Sequence, residues 1–191
     1  MTQEIEIEYK NLLTKEEFQR LLTSLPFPDS GKIQTNHYFE TTEFSLKQHG
    51  SALRIREKGG EYQLTLKEPH PDGLLETHDR LTRNEVDAWL NGDFIFKPNV
   101  GQQLEEKGIL HEDLEYYGSL TTSRREIEHR GVLLVLDYST YNGREDYELE
   151  LEADSKELGT ARFDELLTEH NLKRRKTPNK IQRFFDSIAK A

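Results

Sequence analysis

The strongest pattern along the chain is a period-two alternation of polar and apolar residues, the signature of strands with one face on a core. Residues 3–10 read Gln-Glu-Ile-Glu-Ile-Glu-Tyr-Lys, and residues 51–58 read Ser-Ala-Leu-Arg-Ile-Arg-Glu-Lys. Similar runs occupy 34–41, 61–68, 74–81, 120–129, 132–140 and 144–153. Gly59-Gly60, Arg130-Gly131 and Asn142-Gly143 stand between neighbouring runs, where two-residue hairpin turns belong. The pattern predicts eight strands, mostly hairpin-linked and hence antiparallel. Helix signals punctuate them. Thr14 with Glu17, and Thr82 with Glu85, have capping-box spacing and open helices that run to about Leu25 and Asn91. Further helices are expected near 100–107 and over 156–170. Thr177 followed by Pro178 predicts the N-cap and first turn of a last helix. No linker or repeat interrupts the series, so a single domain over 1–191 is expected.

Side chains two apart on a strand share a face. Glu4, Glu6, Glu8 and Lys10 therefore align, opposite Ile5, Ile7 and Tyr9. Arg54, Arg56 and Lys58 align, as do Gln63, Thr65 and Lys67, and then Glu148, Glu150 and Glu152. A solvated face accounts for any one of these strands taken alone. Solvated faces usually mix signs, however, because like charges side by side cost energy. Rows of one sign call for a neutralising partner. A divalent cation neutralises carboxylates, and a polyphosphate neutralises Arg and Lys. A barrel with polar faces inward and helices over its apolar outer faces would set the two kinds of row opposite each other. A two-residue turn at Arg130-Gly131 also puts Arg124 opposite Asp137 on one face, as a cross-strand ion pair or as part of a site.

Composition narrows the function classes. The formal net charge is −10, which argues against general nucleic-acid binding or attraction to anionic membranes. With 34% hydrophobic and 32% charged residues the chain is polar for a globular protein, and a hydrated interior cavity would reconcile the two. The absence of cysteine excludes disulfides and thiolate metal sites. Met-Thr-Gln-Glu-Ile-Glu has neither a basic nor an apolar run, so no signal peptide is expected. No stretch approaches the roughly 20 apolar residues of a membrane span. A cytoplasmic location follows as the expectation. His37, His78 and His111 show no metal-ligand spacing and read as ordinary surface or strand residues. The run Lys173-Arg174-Arg175-Lys176 reads as a solvated segment, and Phe184 and Phe185 as the packing face of the last helix.

Glu6-Ile7-Glu8-Tyr9-Lys10 resembles the ExExK signature of the CYTH superfamily, the triphosphate tunnel metalloenzymes. Ala52-Leu53-Arg54-Ile55-Arg56 resembles its paired-arginine strand, and Leu64-Thr65-Leu66-Lys67 its lysine strand. Arg124, Leu136-Asp137 and Glu148-Leu149-Glu150-Leu151-Glu152 follow in the family's order, and Lys180 resembles its C-terminal lysine. The resemblance covers essentially the whole chain and is nearest to the small bacterial YjbK-type subgroup. It implies a mainly β fold, an eight-stranded closed antiparallel tunnel with helices outside. It also implies a small-molecule triphosphate substrate and Mg²⁺ or Mn²⁺.

Carried onto this sequence, the resemblance and the strand faces together assign roles. Glu6, Glu8, Glu150 and Glu152 are the expected metal ligands, with Glu148 and Glu4 as weaker candidates, since these ions prefer oxygen donors. Lys10, Arg54, Arg56, Lys67, Arg124 and Lys180 are the expected phosphate cradle. Asp137 is a candidate for a second metal position or for holding Arg124. Glu76 is a candidate base for in-line attack of water on the terminal phosphoryl group. Trp89 falls on a predicted helix and offers no platform for thiamine. The expected activity is triphosphate hydrolysis. The alternatives are cyclisation of ATP to cyclic AMP with release of diphosphate, and a polyphosphate- or triphosphate-binding module without turnover. A monomer or homodimer is expected.

Overall fold

The structure is a computed structural model that describes residues 2–189. The chain runs β1 (Gln3–Glu6), β2 (Glu8–Leu13), α1 (Lys15–Ser24), β3 (Lys32–Thr41) and the short α2 (Ser45–Gln48). It continues β4 (Ala52–Lys58), β5 (Glu61–His70), β6 (Gly73–Leu81), α3 (Arg83–Leu90) and α4 (Pro98–Glu106). After a 3₁₀ turn at His111–Asp113 come β7 (Leu114–His129), β8 (Val132–Tyr141), β9 (Arg144–Glu152), α5 (Lys156–Glu169) and α6 (Lys180–Ala189). No helix among the described residues is long and apolar enough to cross a membrane.

The chain folds into two compact units. One holds the residues through Ile5 together with Gln34–Ser119, the other Glu6–Ile33 with the chain from Leu120 onward. In the first, strands neighbour in the order β1-β6-β5-β4-β3, and β3, β4, β5 and β6 pair antiparallel. In the second the order is β7-β8-β9-β2, antiparallel throughout. All three predicted hairpin turns form. Gly59 and Gly60 take φ of 60° and 80°, Arg130 and Gly131 49° and 81°, Asn142 and Gly143 48° and 72°. Positive φ at both central residues matches the right-handed twist of the flanking strands, which is why these dipeptides fix the register. Arg124 accordingly lies opposite Asp137.

Each unit has its own core, built from the apolar faces read in the sequence. In the first, Leu53 and Ile55 of β4 and Leu64 and Leu66 of β5 pack with Val86 and Trp89 of α3 and Val100 and Leu104 of α4. In the second, Leu134 and Leu136 of β8 and Leu149 and Leu151 of β9 pack with Phe18 and Leu21 of α1 and Phe163, Leu166 and Leu167 of α5. Each such side chain contributes about 1.5–3 kcal/mol when fully buried. A one-residue slip would expose the whole set, so the polar rows are locked onto the opposite face.

Three expectations change. There are nine strands, because the predicted first strand divides at Ile7. β1 lies beside β6, with His78 N donating to Thr2 O at 2.8 Å, whereas β2 pairs with β9 from Glu8 opposite Glu152 onward. Alternation gives a strand's faces but not its partner. The last helix begins at Lys180, and Asn179 caps it, its Oδ1 accepting from Gln182 N at 2.9 Å. Thr177 instead accepts from Leu12 N at 2.8 Å. In the basic run Lys173, Arg174 and Lys176 are exposed, as expected of a solvated segment, but Arg175 is tied down. Arg175 donates to Glu17 Oε2 at 2.7 Å and to Leu12 O at 2.9 Å, and Lys173 N donates to Glu17 Oε1. Phe184 is fully buried beside Tyr141, as expected of the last helix.

Candidate functional site

In the first unit the polar face of β4 and β5 carries the predicted cations. Register sets Arg54 opposite Thr65, Arg56 opposite Gln63 and Lys67 opposite Glu76 of β6. Lys67 Nζ lies 2.6 Å from Glu76 Oε1, and Arg54 Nη2 lies 3.8 Å from the same oxygen. Arg56 Nε donates to Asn36 Oδ1 at 3.3 Å. Arg54 Nε is buried and finds no hydrogen-bond partner among the described residues. A buried guanidinium donor with no acceptor is costly, and it marks a place where an anion would be welcome. Burial pushes Glu76 up, but Lys67 and Arg54 outweigh it and bring its carboxyl down to about 2. Glu76, the expected base, is thus held ionised beside Lys67 and Arg54 and is placed to order both.

In the second unit the carboxylates gather around cations. Arg124 grips Asp137 bidentately, Nε to Oδ1 at 2.9 Å and Nη2 to Oδ2 at 2.6 Å, and its Nη2 also reaches Glu150 Oε2 at 2.8 Å. Lys180 Nζ lies 2.9 Å from Asp137 Oδ2 and 3.2 Å from Glu148 Oε1, and it also contacts Glu150 Oε1. Asp137 and Glu148 are fully buried. Burial opposes the charge on Lys180, but the three carboxylates hold its pKa above the ordinary lysine range. Burial pushes Glu148 up, Lys180 pulls it down and Glu150 pushes it up again, leaving it at about 7. Burial also opposes ionised Glu150, but Lys180 and Arg124 keep it well below the usual range. On β2, Lys10 Nζ bonds Glu8 Oε1 at 2.9 Å and sits in register with Glu150. Glu6 ends β1, and Glu152 ends β9 in register with Glu8.

The structure thus groups Arg54, Arg56, Lys67 and Glu76 in one unit, and Glu8, Lys10, Arg124, Asp137, Glu148, Glu150 and Lys180 in the other. Of the two roles foreseen for Asp137, it fills that of holding Arg124. Arg124 and Lys180, read from sequence as phosphate ligands, are themselves held by carboxylates. Asp137, Glu148 and Glu150 enclose the Lys180 ammonium, and Glu8 pairs with Lys10, so each of these carboxylates, oxygen donors of the kind Mg²⁺ or Mn²⁺ would take, faces a cation of the chain itself.

One residue of this cluster escaped the sequence reading. Arg183 contacts Glu148 Oε2 and donates to Asp146 Oδ2 at 3.0 Å, so α6 supplies a second cation to the carboxylate row. The Lys180-x-x-Arg183 spacing on a helix was the available signal. His78, read from the sequence as an ordinary strand residue, lies with Glu76 and Glu4.

The chain matches the CYTH domain family over residues 4–185. It is 45% identical over 192 residues to the Bacillus subtilis protein named “Putative triphosphatase YjbK”, with 100% of each chain covered. A solved structure from Bacillus halodurans, described as a “putative adenylate cyclase”, is also 45% identical, with a TM-score of 0.93 over 97% of this chain and 100% of that one. A Hippeastrum protein described as “Putative adenylyl cyclase HpAC1” with a dominant triphosphatase activity is 23% identical, with a TM-score of 0.77 over 95% and 96% of the two chains. That likeness speaks to the fold, which is mainly β and antiparallel with helices, as the sequence led one to expect.

Proposed function

The chain belongs to the CYTH domain family, and from that premise we propose that it is a metal-dependent triphosphatase acting on inorganic triphosphate or a small organic triphosphate. The observation that carries this reading is Arg54. Its buried, unpartnered Nε stands in a row of like charge with Arg56 and beside Lys67, an arrangement that a phosphate oxygen would complete. Lys10, Arg54, Arg56 and Lys67 are assigned to binding phosphate. Glu6, Glu8, Glu148, Glu150 and Glu152 are assigned to holding Mg²⁺ or Mn²⁺. The ion, when bound, supplies positive charge against that developing on the phosphoryl oxygens. Asp137, Arg124 and Lys180 fix the carboxylates of β9, and Glu76 fixes Lys67 and Arg54. The basic side chains orient the triphosphate and stabilise the leaving diphosphate as water attacks in line.

The test is a metal-by-substrate matrix with inorganic triphosphate, thiamine triphosphate, ATP and long-chain polyphosphate, read for phosphate and for diphosphate. Phosphate release that requires Mg²⁺ or Mn²⁺, and falls roughly 100-fold or more in Arg54→Ala, Lys10→Ala and Glu8→Ala, is expected. Diphosphate release from ATP together with cyclic AMP would replace this reading with the cyclase that the description of the Bacillus halodurans relative raises. Tight binding with no product under any metal would leave a binding module.

A further inference from the structure

β6 carries Glu76 and His78 two residues apart, so both side chains leave one face of the strand. On one side of β6 lies β1, held by the bond from His78 N to Thr2 O and by Gln3 Nε2 donating to Thr77 Oγ1 at 3.0 Å. That docking brings Glu4 Oε1 to 3.0 Å from His78 Nε2. Glu76 Oε2 lies 3.3 Å from the same nitrogen, and the three donor atoms all fall within 4.8 Å of one another. On the other side of β6, Thr65 of β5 sits directly opposite His78, its hydroxyl 2.9 Å from Nδ1.

We propose that Glu4, Glu76 and His78 form a transition-metal site, selective for ions such as Zn²⁺ or Co²⁺ over Mg²⁺. Donor atoms about 2.1 Å from one ion at tetrahedral or octahedral angles stand roughly 3.0–3.4 Å apart, and both measured nitrogen–oxygen distances fall in that interval. Two carboxylates offset a divalent charge. The imidazole sets the selectivity, because nitrogen ligands suit zinc and cobalt whereas Mg²⁺ demands oxygen. Thr65 supplies what metal-binding histidines usually have, a partner on the far ring nitrogen that fixes the orientation of Nε2. Lys67 takes Glu76 Oε1 and leaves Oε2 for the ion. Glu4 is largely exposed, so an ion can enter and can keep water in its open positions. The alternative is an imidazole that only hydrogen-bonds to the two carboxylates. It makes the same contacts but binds no metal.

The metal-stripped full-length protein is titrated with Zn²⁺ by calorimetry and with Co²⁺ by visible absorption, without substrate, so that turnover plays no part. Two classes of site are expected. Glu4→Gln and His78→Gln should each weaken one class by roughly tenfold or more, and Thr65→Val should weaken the same class. Glu8→Gln should weaken only the other class, the one for which Mg²⁺ competes. The exposed position of Glu4 keeps its variant folded, so the test survives if His78→Gln does not fold. No Zn²⁺ or Co²⁺ binding in the parent protein, or unchanged Zn²⁺ and Co²⁺ binding in Glu4→Gln, overturns the proposal, whereas a single class that Glu4→Gln weakens supports it and counts only against the carboxylate site.

Discussion

At the scale of single residues, two buried carboxyls go in opposite directions, Glu76 down because of its cationic neighbours and Glu148 up because of its burial. Glu76 is held at about 2 against an ordinary 4.5, because Lys67 and Arg54 overcome the cost of its burial. A depressed native pKa stabilises the fold fully above the unfolded value and loses that contribution as pH falls through the native one. Glu76 therefore contributes stability that is complete above about pH 4.5 and lost between there and about pH 2. The upper size of the effect is about 3 kcal/mol. Denaturant unfolding of Glu76→Gln across this window should show a flatter acid arm than the parent. An unchanged slope would mean that the pairing with Lys67 and Arg54 does not set its charge. Glu148 behaves the other way and keeps its proton to about pH 7. A divalent ion at β9 must displace that proton. Its affinity should then climb up to about tenfold per pH unit below 7 and level off above, as calorimetry across a pH series would report. Glu148→Gln should abolish that climb.

At the scale of elements, α5 approaches β2 only because it presents glycine there. A Cβ on Gly159 would stand 2.3 Å from Tyr9 Cε2, and that ring is also held by Phe163 at 5.7 Å and by its hydroxyl's bond to Lys156 O. Gly159→Ala gains about 1 kcal/mol of helix propensity but overpacks a contact worth typically 1–3 kcal/mol. A net loss of stability in denaturant melts is expected. The displaced ring lies between Glu8 and Lys10 in sequence, so weaker metal binding should accompany the loss. Gain of stability would show that α5 can shift freely. This contact lay beyond the sequence, where Gly159 is one small residue in a helical run. Strand faces and hairpin registers were legible, because period two and paired positive-φ turns are local and strict. Arg124 opposite Asp137 followed directly from the turn at Arg130-Gly131. The division of the first strand at Ile7 was not legible, because partner choice depends on distant strands. Nor was Asn179 as the cap of α6, because Thr177 and Pro178 offered an equally good local signal that Leu12 N drew away. Arg183 was missed for a related reason, because Glu148, which it contacts, is brought to it only by folding.

At the scale of the whole molecule, the proposed function requires a chain of net charge −10 to take up a polyanion. Triphosphate brings about four to five negative charges near neutral pH. Long-range repulsion then opposes what Arg54, Arg56 and Lys67 attract at close range. On the proposed function a bound divalent cation would relieve that conflict by lowering the net charge, so metal and anion should bind cooperatively. Each should also draw stability from the other through linkage. A ligand at about 100 times its Kd contributes about 2.7 kcal/mol, which for a chain of this length raises Tm by roughly 5–10 °C. A non-hydrolysable imido analogue of triphosphate, added with Mg²⁺ or Mn²⁺, should give a shift of that order. The analogue with EDTA, or the metal alone, should give much smaller shifts. Arg54→Ala should lose the combined shift while keeping the response to metal alone, because its defect lies on the phosphate side. Equal stabilisation by the analogue with and without metal would mean that the basic row binds triphosphate unaided, and that the carboxylates of β9 serve Arg124, Lys180 and Arg183 rather than an ion.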